Sequence, residues 1–445
     1  MWHKTRAQLG YWALKLLCVT FPTTWAHSKR PTAAWRLAAD ALFLVYFPCA
    51  VVLFPNPLAT APFYTAGVAI LSTWTLAVRD RINASIPTAT WISQLNNARS
   101  HRAVTVFRGW MMSLTSFAIL AVDFTVFPRQ SAKTEMFGLS LMDFGVGATV
   151  LSSGIVSGMR SCRSALQPQQ QGALATLAGE LQRALPMLAL GVIRLLMVRS
   201  ADYTVDPSEY GVHWNFFFTL GALGPMISVV RLCIHRGNDL VRGLAVTGVY
   251  EAVIHATQLT EYVQHAPRTH FFSSNREGML SLFGYVALYY YGRSLGAIVG
   301  VPRPTLSAWR RAGIQVLAVA LVAATAVAVV PAPIGGVAGV SRRLANAGFQ
   351  ASTVALCAMQ LGLLMVLETL VPGESGEMAE LLNRGSLFMF LLGNLGTGAV
   401  NVAINTMLVD RETAVGILAV YMSLILAANV VYTRWKQSPL SGKNN

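Results

Sequence analysis

Apolar runs about as long as a membrane is thick recur along this 445-residue chain. A helix needs about 20 apolar residues to cross the roughly 30 Å of hydrocarbon in a bilayer. Runs of this length lie at 37–56, 105–127, 138–158, 211–233, 278–300, 313–332, 344–370, 386–408 and 413–432, and shorter or more polar candidates lie at 63–78, 183–198 and 240–257. The segment 10–25 either spans or lies at the interface, because Lys15 and Pro22 weaken it. The sequence predicts an all-α, polytopic transmembrane helical bundle of about 13 spans, or about 12 if residues 10–25 are interfacial.

The composition is typical of a membrane protein, with 54% hydrophobic and only 12% charged residues. We therefore expect residues 1–445 to form a single integral-membrane domain with no separate soluble domain. The net charge of +15 does not indicate a nucleic-acid partner, because the 34 lysines and arginines are scattered between apolar runs. The five cysteines and the histidines lack the spacing of a zinc site or a disulfide framework. We expect no metal and no permanently bound cofactor.

The distribution of basic residues predicts the orientation, because cytoplasmic loops carry an excess of lysine and arginine. If residues 10–25 span, most of the 34 basic residues share one side, among them Arg183 in a predicted loop. This bias assigns the C-terminus to the cytosol. It assigns three connections to the opposite face: 123–133, the acidic loop 202–209 and the polar loop 258–277. The acidic loop 371–385 falls on the cytoplasmic side, which is acceptable because acidic residues contribute little to orientation.

Ionisable residues converge on one membrane boundary in the stretch 117–147. Asp123 lies four residues before the end of an apolar run, and Pro128 closes that helix because proline lacks the required N–H. Arg129, Lys133 and Glu135 follow in a short connection, and the next apolar run contains a second acid, Asp143. A carboxylate in hydrocarbon is costly unless it has a partner or a function. This stretch is the predicted functional site.

The residue types in this stretch favour acyl or phosphoryl transfer to a hydroxyl group. Asp123 would take the hydroxyl proton, and Lys133 would tune it or hold the carbonyl oxygen. Ten residues across a proline-ended turn allow the two side chains to fold back together. The alternative is an ion pair that only pins a helix end against its connection.

Three further clusters contain polar residues at predicted helix boundaries. In 211–220, His213 makes a hydrogen bond at the start of a helix, with Trp214 as an interfacial anchor. The alternative is that His213 is the general base, as the runner-up to Asp123. In 275–285, Arg276 and Glu277 form a solvated pair at a helix start, or Arg276 clamps a phosphate. In 383–407, Asn394 and Asn401 share one helix face and are expected to hydrogen-bond between helices.

Six sequence blocks resemble the eukaryotic GPI-anchor inositol acyltransferases. In chain order they are FAILAVDFTVFPR, AKTE, SLMDFGVG, GVHWNFFFTL, REGMLSL-GY and LLGNLGTGAVN. The resemblance covers residues from about 105 to 410. It implies a multi-span endoplasmic reticulum enzyme that moves a fatty acyl group, usually palmitoyl, from acyl-CoA to the 2-hydroxyl of inositol in glucosaminyl-phosphatidylinositol.

The resemblance implies that Asp123 and Lys133 are catalytic and that acyl-CoA, the glycolipid and membrane lipid are the partners. The oligomeric state stays open. Candidate substrate-binding residues are Arg129, Glu135, Asp143, His213, Trp214, Asn215, Phe216, Arg276, Glu277, Asn394 and Asn401. The sequence departs from the family at Gln130, where a second arginine usually follows FPR.

Two other classes of function remain open. A secondary transporter also places acids and asparagines in broken, glycine-rich spans, although no inverted repeat is visible in this sequence. A non-catalytic subunit of a lipid-processing complex would tolerate loss of Asp123. An acyl-enzyme is not expected, because no cysteine or nucleophile-elbow serine accompanies the cluster.

Overall fold

The computed structural model describes residues 88–96, 101–164, 173–200, 207–235, 237–329, 339–370 and 376–438, together with Leu37, Ala41, Val45, Tyr46, Cys49, Val52 and Leu53. Regular structure in these ranges is helical throughout, which confirms the all-α prediction. The predicted spans at 10–25 and 63–78 and most of 37–56 lie outside the described residues.

Fourteen α-helices make up the described part of the chain. They are α1 (Thr88–Leu95), α2 (Arg102–Ala121), α3 (Leu141–Ser164), α4 (Ala173–Ser200), α5 (Phe216–Cys233), α6 (Asp239–Ala256), α7 (Leu259–His265), α8 (Phe271–Ser274), α9 (Arg276–Gly300), α10 (Leu306–Val329), α11 (Ala347–Glu368), α12 (Glu377–Arg384), α13 (Ser386–Ala403) and α14 (Arg411–Gln437). Short 3-10 turns lie at Arg129–Ser131 and Thr406–Leu408.

Seven of the described helices are long and apolar enough to cross a membrane: α2, α3, α5, α10, α11, α13 and α14. Each coincides with a span predicted from the sequence, so the polytopic character is confirmed. The predicted spans at 183–198, 240–257 and 278–300 correspond to α4, α6 and α9, which are helices of 18 or more residues but are not among these seven. Their crossing of the membrane, and the total number of spans, stay predictions.

Three local expectations are wrong. The predicted loop 371–385 contains the helix α12, which forms because Met378, Leu381 and Leu382 lie on one face and are buried. The polar loop 258–277 contains the short helices α7 and α8. Arg183 lies inside α4, and not in a loop, because the helix begins ten residues before it.

Glycines on α3 and α9 let these two helices pack at backbone contact. Gly154 and Gly158 are spaced four residues apart on α3, and Gly292 and Gly296 have the same spacing on α9. A Cβ added at Gly154 would lie 2.2 Å from the Tyr289 carbonyl oxygen, and others on this seam would meet backbone as closely. Small residues at this spacing allow close helix association in membranes. The pair forms the centre of the bundle.

The other long helices surround this pair. Helices α5, α6 and α11 pack against α9, while α4 packs on α5 and α10 on α11. Helix α2 contacts α12 and α13, and large buried side chains such as Phe107, Phe117, Tyr285 and Tyr290 fill the interior. We call the end of the bundle that carries residues 122–140, 207–215 and 339–346 the site end, and the other the opposite end. Helices α2 and α13 finish at the site end, while α3, α5 and α9 begin there.

Candidate functional site

Asp123 lies in a turn that directly follows α2. Its backbone N–H donates to the Leu120 carbonyl oxygen at 3.1 Å, which continues the last turn of the helix. Phe124 and Phe127 are fully buried and anchor the turn in the core, and Pro128 then opens a 3-10 turn. The turn is therefore held by the packing of the residues that follow Asp123. Its carboxyl group is half-buried at the site end.

Asn401, near the end of α13, fixes the position of the Asp123 side chain. Its amide Nδ2 donates to Oδ2 of Asp123 at 2.8 Å. The Asn401 amide oxygen is buried and has no hydrogen-bond partner in the described part of the chain. An unpaired buried acceptor costs about 1–3 kcal/mol. The pair thus places an unsatisfied acceptor beside a carboxylate, a suitable arrangement for a ligand with neighbouring hydroxyl groups.

The surroundings of Asp123 favour its protonated form more than water would. Burial raises the pKa of Asp123, while the Asn401 hydrogen bond and the nearby cations Lys133 and Arg129 act in the opposite direction. A carboxylate with a raised pKa is a stronger base than an exposed one. Acids whose pKa is shifted by burial and by nearby charges occur often at functional sites.

Lys133 contacts Glu209 and not Asp123. Its ammonium donates to Oε1 of Glu209 at 2.5 Å, with the two side chains 40% and 25% exposed. No ion pair within 4.0 Å joins Lys133 to Asp123 in the described residues, so the expected direct contact is not formed. Burial raises the pKa of Glu209, but the positive charges of Lys133 and Arg342 outweigh burial and hold the pKa below its ordinary value. Lys133 acts on Asp123 at longer range.

Arg129 caps the end of α2. Its guanidinium donates to the carbonyl oxygens of Val122 at 3.0 Å and Phe124 at 3.3 Å. Cations at a helix C-terminus satisfy its free carbonyls and interact well with the dipole. Glu135 is exposed, and the described residues give it no hydrogen bond or ion pair. Gln130, at the position that departs from the family pattern, is also exposed.

Asp143 forms a fully buried ion pair with Arg342. The Arg342 Nε donates to Oδ1 of Asp143 at 2.8 Å, and the side chains are 4% and 0% exposed. Thr134 and Ser140 also donate to Asp143, each through its backbone N–H and its hydroxyl group. The carboxylate therefore joins residues 134–140 to the connection before α11. This geometry gives Asp143 a structural role, while its predicted role in substrate binding stays untested.

Asn275, the residue before α9, holds His213 and Trp214 in the segment that leads into α5. Their backbone N–H groups donate to the Asn275 Oδ1 at 2.8 and 3.0 Å. The His213 ring stacks on Phe271, with ring centres 6.4 Å apart. Trp214 packs against α9, where a Cβ at Gly278 would lie 2.2 Å from its ring. The contacts agree with the predicted helix-entry role and leave the runner-up role of His213 as a base untested.

Asn215 is the N-cap of α5. Its side-chain oxygen accepts from the N–H groups of Phe217 and Phe218, and its amide donates to the Gly191 carbonyl oxygen at 2.9 Å. These contacts occupy its donor and acceptor groups, as expected of a helix cap. Phe216 is buried and packs edge-on against Phe390 of α13, with ring centres 6.3 Å apart. Both residues position the start of α5 beside α13.

Arg276 and Glu277 are both buried, so the expected solvated pair is wrong. Arg276 donates to the carbonyl oxygens of Val263 and Ser273, each at 3.0 Å. Glu277 receives two hydrogen bonds from Arg268, at 2.6 and 3.1 Å. The polar loop folds back on the start of α9 because these buried charges require partners. Arg276 therefore uses two of its N–H donors on protein carbonyl oxygens. In the predicted phosphate clamp, these donors would bind the phosphate.

Asn394 differs from Asn401 although they share a helix face. Its amide donates to the Phe390 carbonyl oxygen at 2.7 Å, within α13 itself. The predicted hydrogen bond between segments is found for Asn401 alone of the two. Asn394 lies about 10 Å deeper in the bundle, at 1.5 Å per residue.

Three residues of this end were not predicted: Glu209, Arg342 and Asn275. Each had a partial signal in the sequence. Glu209 belongs to the acidic loop assigned to this face, Arg342 lies in the segment SRRLAN, and Asn275 precedes the block REGML. Their partners lie 61 to 199 residues away along the chain. Such distant pairing leaves no periodic pattern in a single sequence.

The family model described as GWT1 matches residues 5–432. The GPI-anchored wall transfer protein 1 of Aspergillus fumigatus is 37% identical over 356 residues, which is 73% of this chain and 70% of that protein. The protein of the same name in Yarrowia lipolytica is 35% identical over 353 residues, 74% of this chain and 71% of that protein. The phosphatidylinositol-glycan biosynthesis class W protein of Dictyostelium discoideum is 31% identical over 353 residues, 71% and 70% of the two chains. The chain belongs to the GWT1 family.

Proposed function

We propose that this protein is an acyltransferase of GPI-anchor biosynthesis in the endoplasmic reticulum membrane. It would transfer a fatty acyl group, usually palmitoyl, from acyl-CoA to the 2-hydroxyl of inositol in glucosaminyl-phosphatidylinositol. The family match and the names of the relatives support the role in GPI-anchor biosynthesis. The observation that carries the chemistry is the half-buried Asp123, oriented by Asn401 at the site end of the bundle. In this proposal the site end faces the lumen and the C-terminus the cytosol.

The proposed reaction needs one proton transfer and close positioning of two amphiphiles. Asp123 takes the proton of the inositol hydroxyl as the hydroxyl oxygen attacks the thioester carbonyl carbon. The tetrahedral oxyanion then collapses, the carbon–sulfur bond breaks, and the proton passes to the leaving CoA sulfur. Burial supports this role because it raises the basicity of the carboxylate. The unpaired Asn401 oxygen would accept from a second hydroxyl of the same ring.

Lys133 supplies the positive charge in this mechanism. Its pair with Glu209 keeps the ammonium on the connection that carries Asp123, partly open to solvent. A positioned cation stabilises the negative charge that develops on the thioester oxygen. Reconstitution tests the proposal: purified protein in liposomes with palmitoyl-CoA and glucosaminyl-phosphatidylinositol should form the inositol-acylated lipid. Failure of the folded protein to acylate that lipid would reject the proposal.

A comparison of two variants separates a catalytic Lys133 from a purely structural ion pair. Lys133→Ala should lower kcat by about 10²–10³-fold, because it removes the cation. Glu209→Gln leaves that cation in place and should have a much smaller effect. An exposed pair contributes at most about 1 kcal/mol to stability, so neither variant should unfold. Equal losses of kcat in both variants would show that the pair itself matters and would reject the catalytic role.

The hydrogen bond from Asn401 should appear in the pH dependence of the reaction. This bond favours the charged form of Asp123, so Asn401→Ala should raise the Asp123 pKa further. A base works only when deprotonated, so the acidic limb of the kcat/KM profile should move to higher pH. Loss of a hydrogen bond to a charged group should also lower kcat/KM about tenfold at neutral pH.

Asn394→Ala is the matched control for this experiment. It removes the same side chain from the same helix but breaks only a bond within α13. The acidic limb of the kcat/KM profile of Asn394→Ala should stay at the wild-type pH. If the acidic limbs of Asn401→Ala and Asn394→Ala lie at the same pH, Asn401 does not set the pKa of the base.

A further inference from the structure

A cavity of about 550 Å³ lies between α3, α4, α5, α6 and α9 at the opposite end of the bundle. Ser157 on its wall is fourteen residues after Asp143 on α3, or about 21 Å along the helix. Arg231 is sixteen residues after Asn215 on α5, or about 24 Å along that helix. The cavity is therefore separate from the Asp123 site. Its volume falls in the range of ligand-binding pockets.

Three arginines line the cavity, and one carboxylate holds two of them in place. Asp239 accepts from Arg242 Nη1 at 3.1 Å and from Arg293 Nε at 2.9 Å. Arg293 also donates to the Ser157 hydroxyl group at 2.7 Å. The third, Arg231, is exposed. The guanidinium groups of Arg242 and Arg293 are therefore held in fixed orientations on the wall.

The held arginines keep donors for a ligand. A guanidinium has five N–H donors. Arg242 uses its Nε, Nη1 and Nη2 in one hydrogen bond each, and so does Arg293. Two N–H groups on each side chain are left over by this count. Together with Arg231, they form a set of donors on three different helices around one space.

The charge balance of the cavity wall is positive. The three arginines face two carboxylates, Asp239 and Glu180. Asp239 already bridges two of the arginines, and Glu180 pairs with Arg183 on its own helix at 2.5 Å. Helix α6 begins at the wall, and the positive end of its dipole adds to the field.

We propose that this cavity binds the phosphate group of an anionic amphiphile. Arginine forks match phosphate oxygens in charge and geometry, and the cavity lies at the end of long apolar helices where such a headgroup would reside. The phosphate can come from the nucleotide part of CoA or from the headgroup of an anionic phospholipid. The inference concerns binding at the opposite end and does not rest on acyl transfer at Asp123.

Binding to the full-length protein in detergent tests this proposal without turnover. Free CoA is titrated by isothermal calorimetry, and retention of phosphatidic acid against phosphatidylcholine is measured by native mass spectrometry. Arg231→Glu should weaken binding of the true phosphate source by about tenfold or more, because it reverses a charge on the wall. Ala297→Trp, which fills the cavity from an exposed position on α9, should do the same without a charge change.

Arg311→Glu is the matched control, because Arg311 is an exposed arginine in α10 that does not line the cavity. Loss of CoA binding in both cavity variants, but not in the control, identifies the nucleotide as the source. The same pattern for phosphatidic acid alone identifies a lipid headgroup. If neither ligand distinguishes Arg231→Glu and Ala297→Trp from the control, the proposal is overturned. Acylation of the glycolipid by the same proteins is measured separately. That result tests the proposed acyltransferase function and not the phosphate-binding cavity.

Discussion

Asp123→Asn should reduce kcat for inositol acylation by about 10²–10⁴-fold, the usual contribution of a general base. The amide has nearly the same shape as the carboxylate but cannot accept the hydroxyl proton. Phe124 and Phe127 hold the turn from the core, so the backbone should stay in place. We therefore expect KM and thermal stability to change little. The measurement is product formation from palmitoyl-CoA and glucosaminyl-phosphatidylinositol at matched protein concentration.

Asp410→Asn provides the control for this loss. Asp410 is an exposed carboxylate at the N-cap of α14, where it accepts from the Thr413 N–H at 3.0 Å. Asparagine caps helices as well as aspartate does, so this variant should keep wild-type activity and stability. Full activity of Asp123→Asn would transfer the role of the base to His213, the runner-up. A folded wild-type protein that neither acylates the lipid nor depends on Asp123 would favour a transporter or a non-catalytic subunit.

Much of the fold follows from local properties of the sequence. Apolar length predicted every long helix from α2 onward, because a membrane selects segments by length and composition. Asp123 could be selected in the same way, since an acid beside a proline at the end of an apolar run is locally conspicuous. Helix α12 was missed because eight residues are too few for a span. Its amphipathic pattern was nevertheless present in the sequence.

The partners of the charged residues could not be predicted in this way. The position of a charged residue relative to a helix boundary indicates at which end of the bundle its side chain lies. It does not indicate which side chain it pairs with there. Asp143 appeared to belong with Asp123 because they are close in sequence, yet Arg342 binds it from 199 residues away. Lys133 likewise pairs with Glu209 across 76 residues. These pairings depend on how α3, α9 and α11 pack, which the close glycine contacts decide.

Asp143→Asn should destabilise the protein by about 3–5 kcal/mol, because it leaves the buried Arg342 charge without its partner. The asparagine oxygen can keep some bonds from Thr134 and Ser140, but it cannot neutralise the guanidinium. We expect a lower apparent melting temperature of the purified protein in detergent. We also expect less folded protein in membranes. The control is Glu380→Gln, which breaks an exposed pair with Arg384 and should cost less than about 1 kcal/mol.

The double variant Asp143→Asn with Arg342→Met tests whether the uncompensated charge is the cause. Removal of both charges should recover much of the stability lost in Asp143→Asn, since a buried ion pair often contributes little beyond an apolar pair of similar volume. Recovery of the melting temperature should bring recovery of acylation, because Asp143 holds the connection that carries Lys133. If Asp143→Asn instead melts like wild type and still loses acylation, the carboxylate acts on the substrate. Asp143 would then belong to the binding residues predicted from the sequence, and the structural role would be wrong.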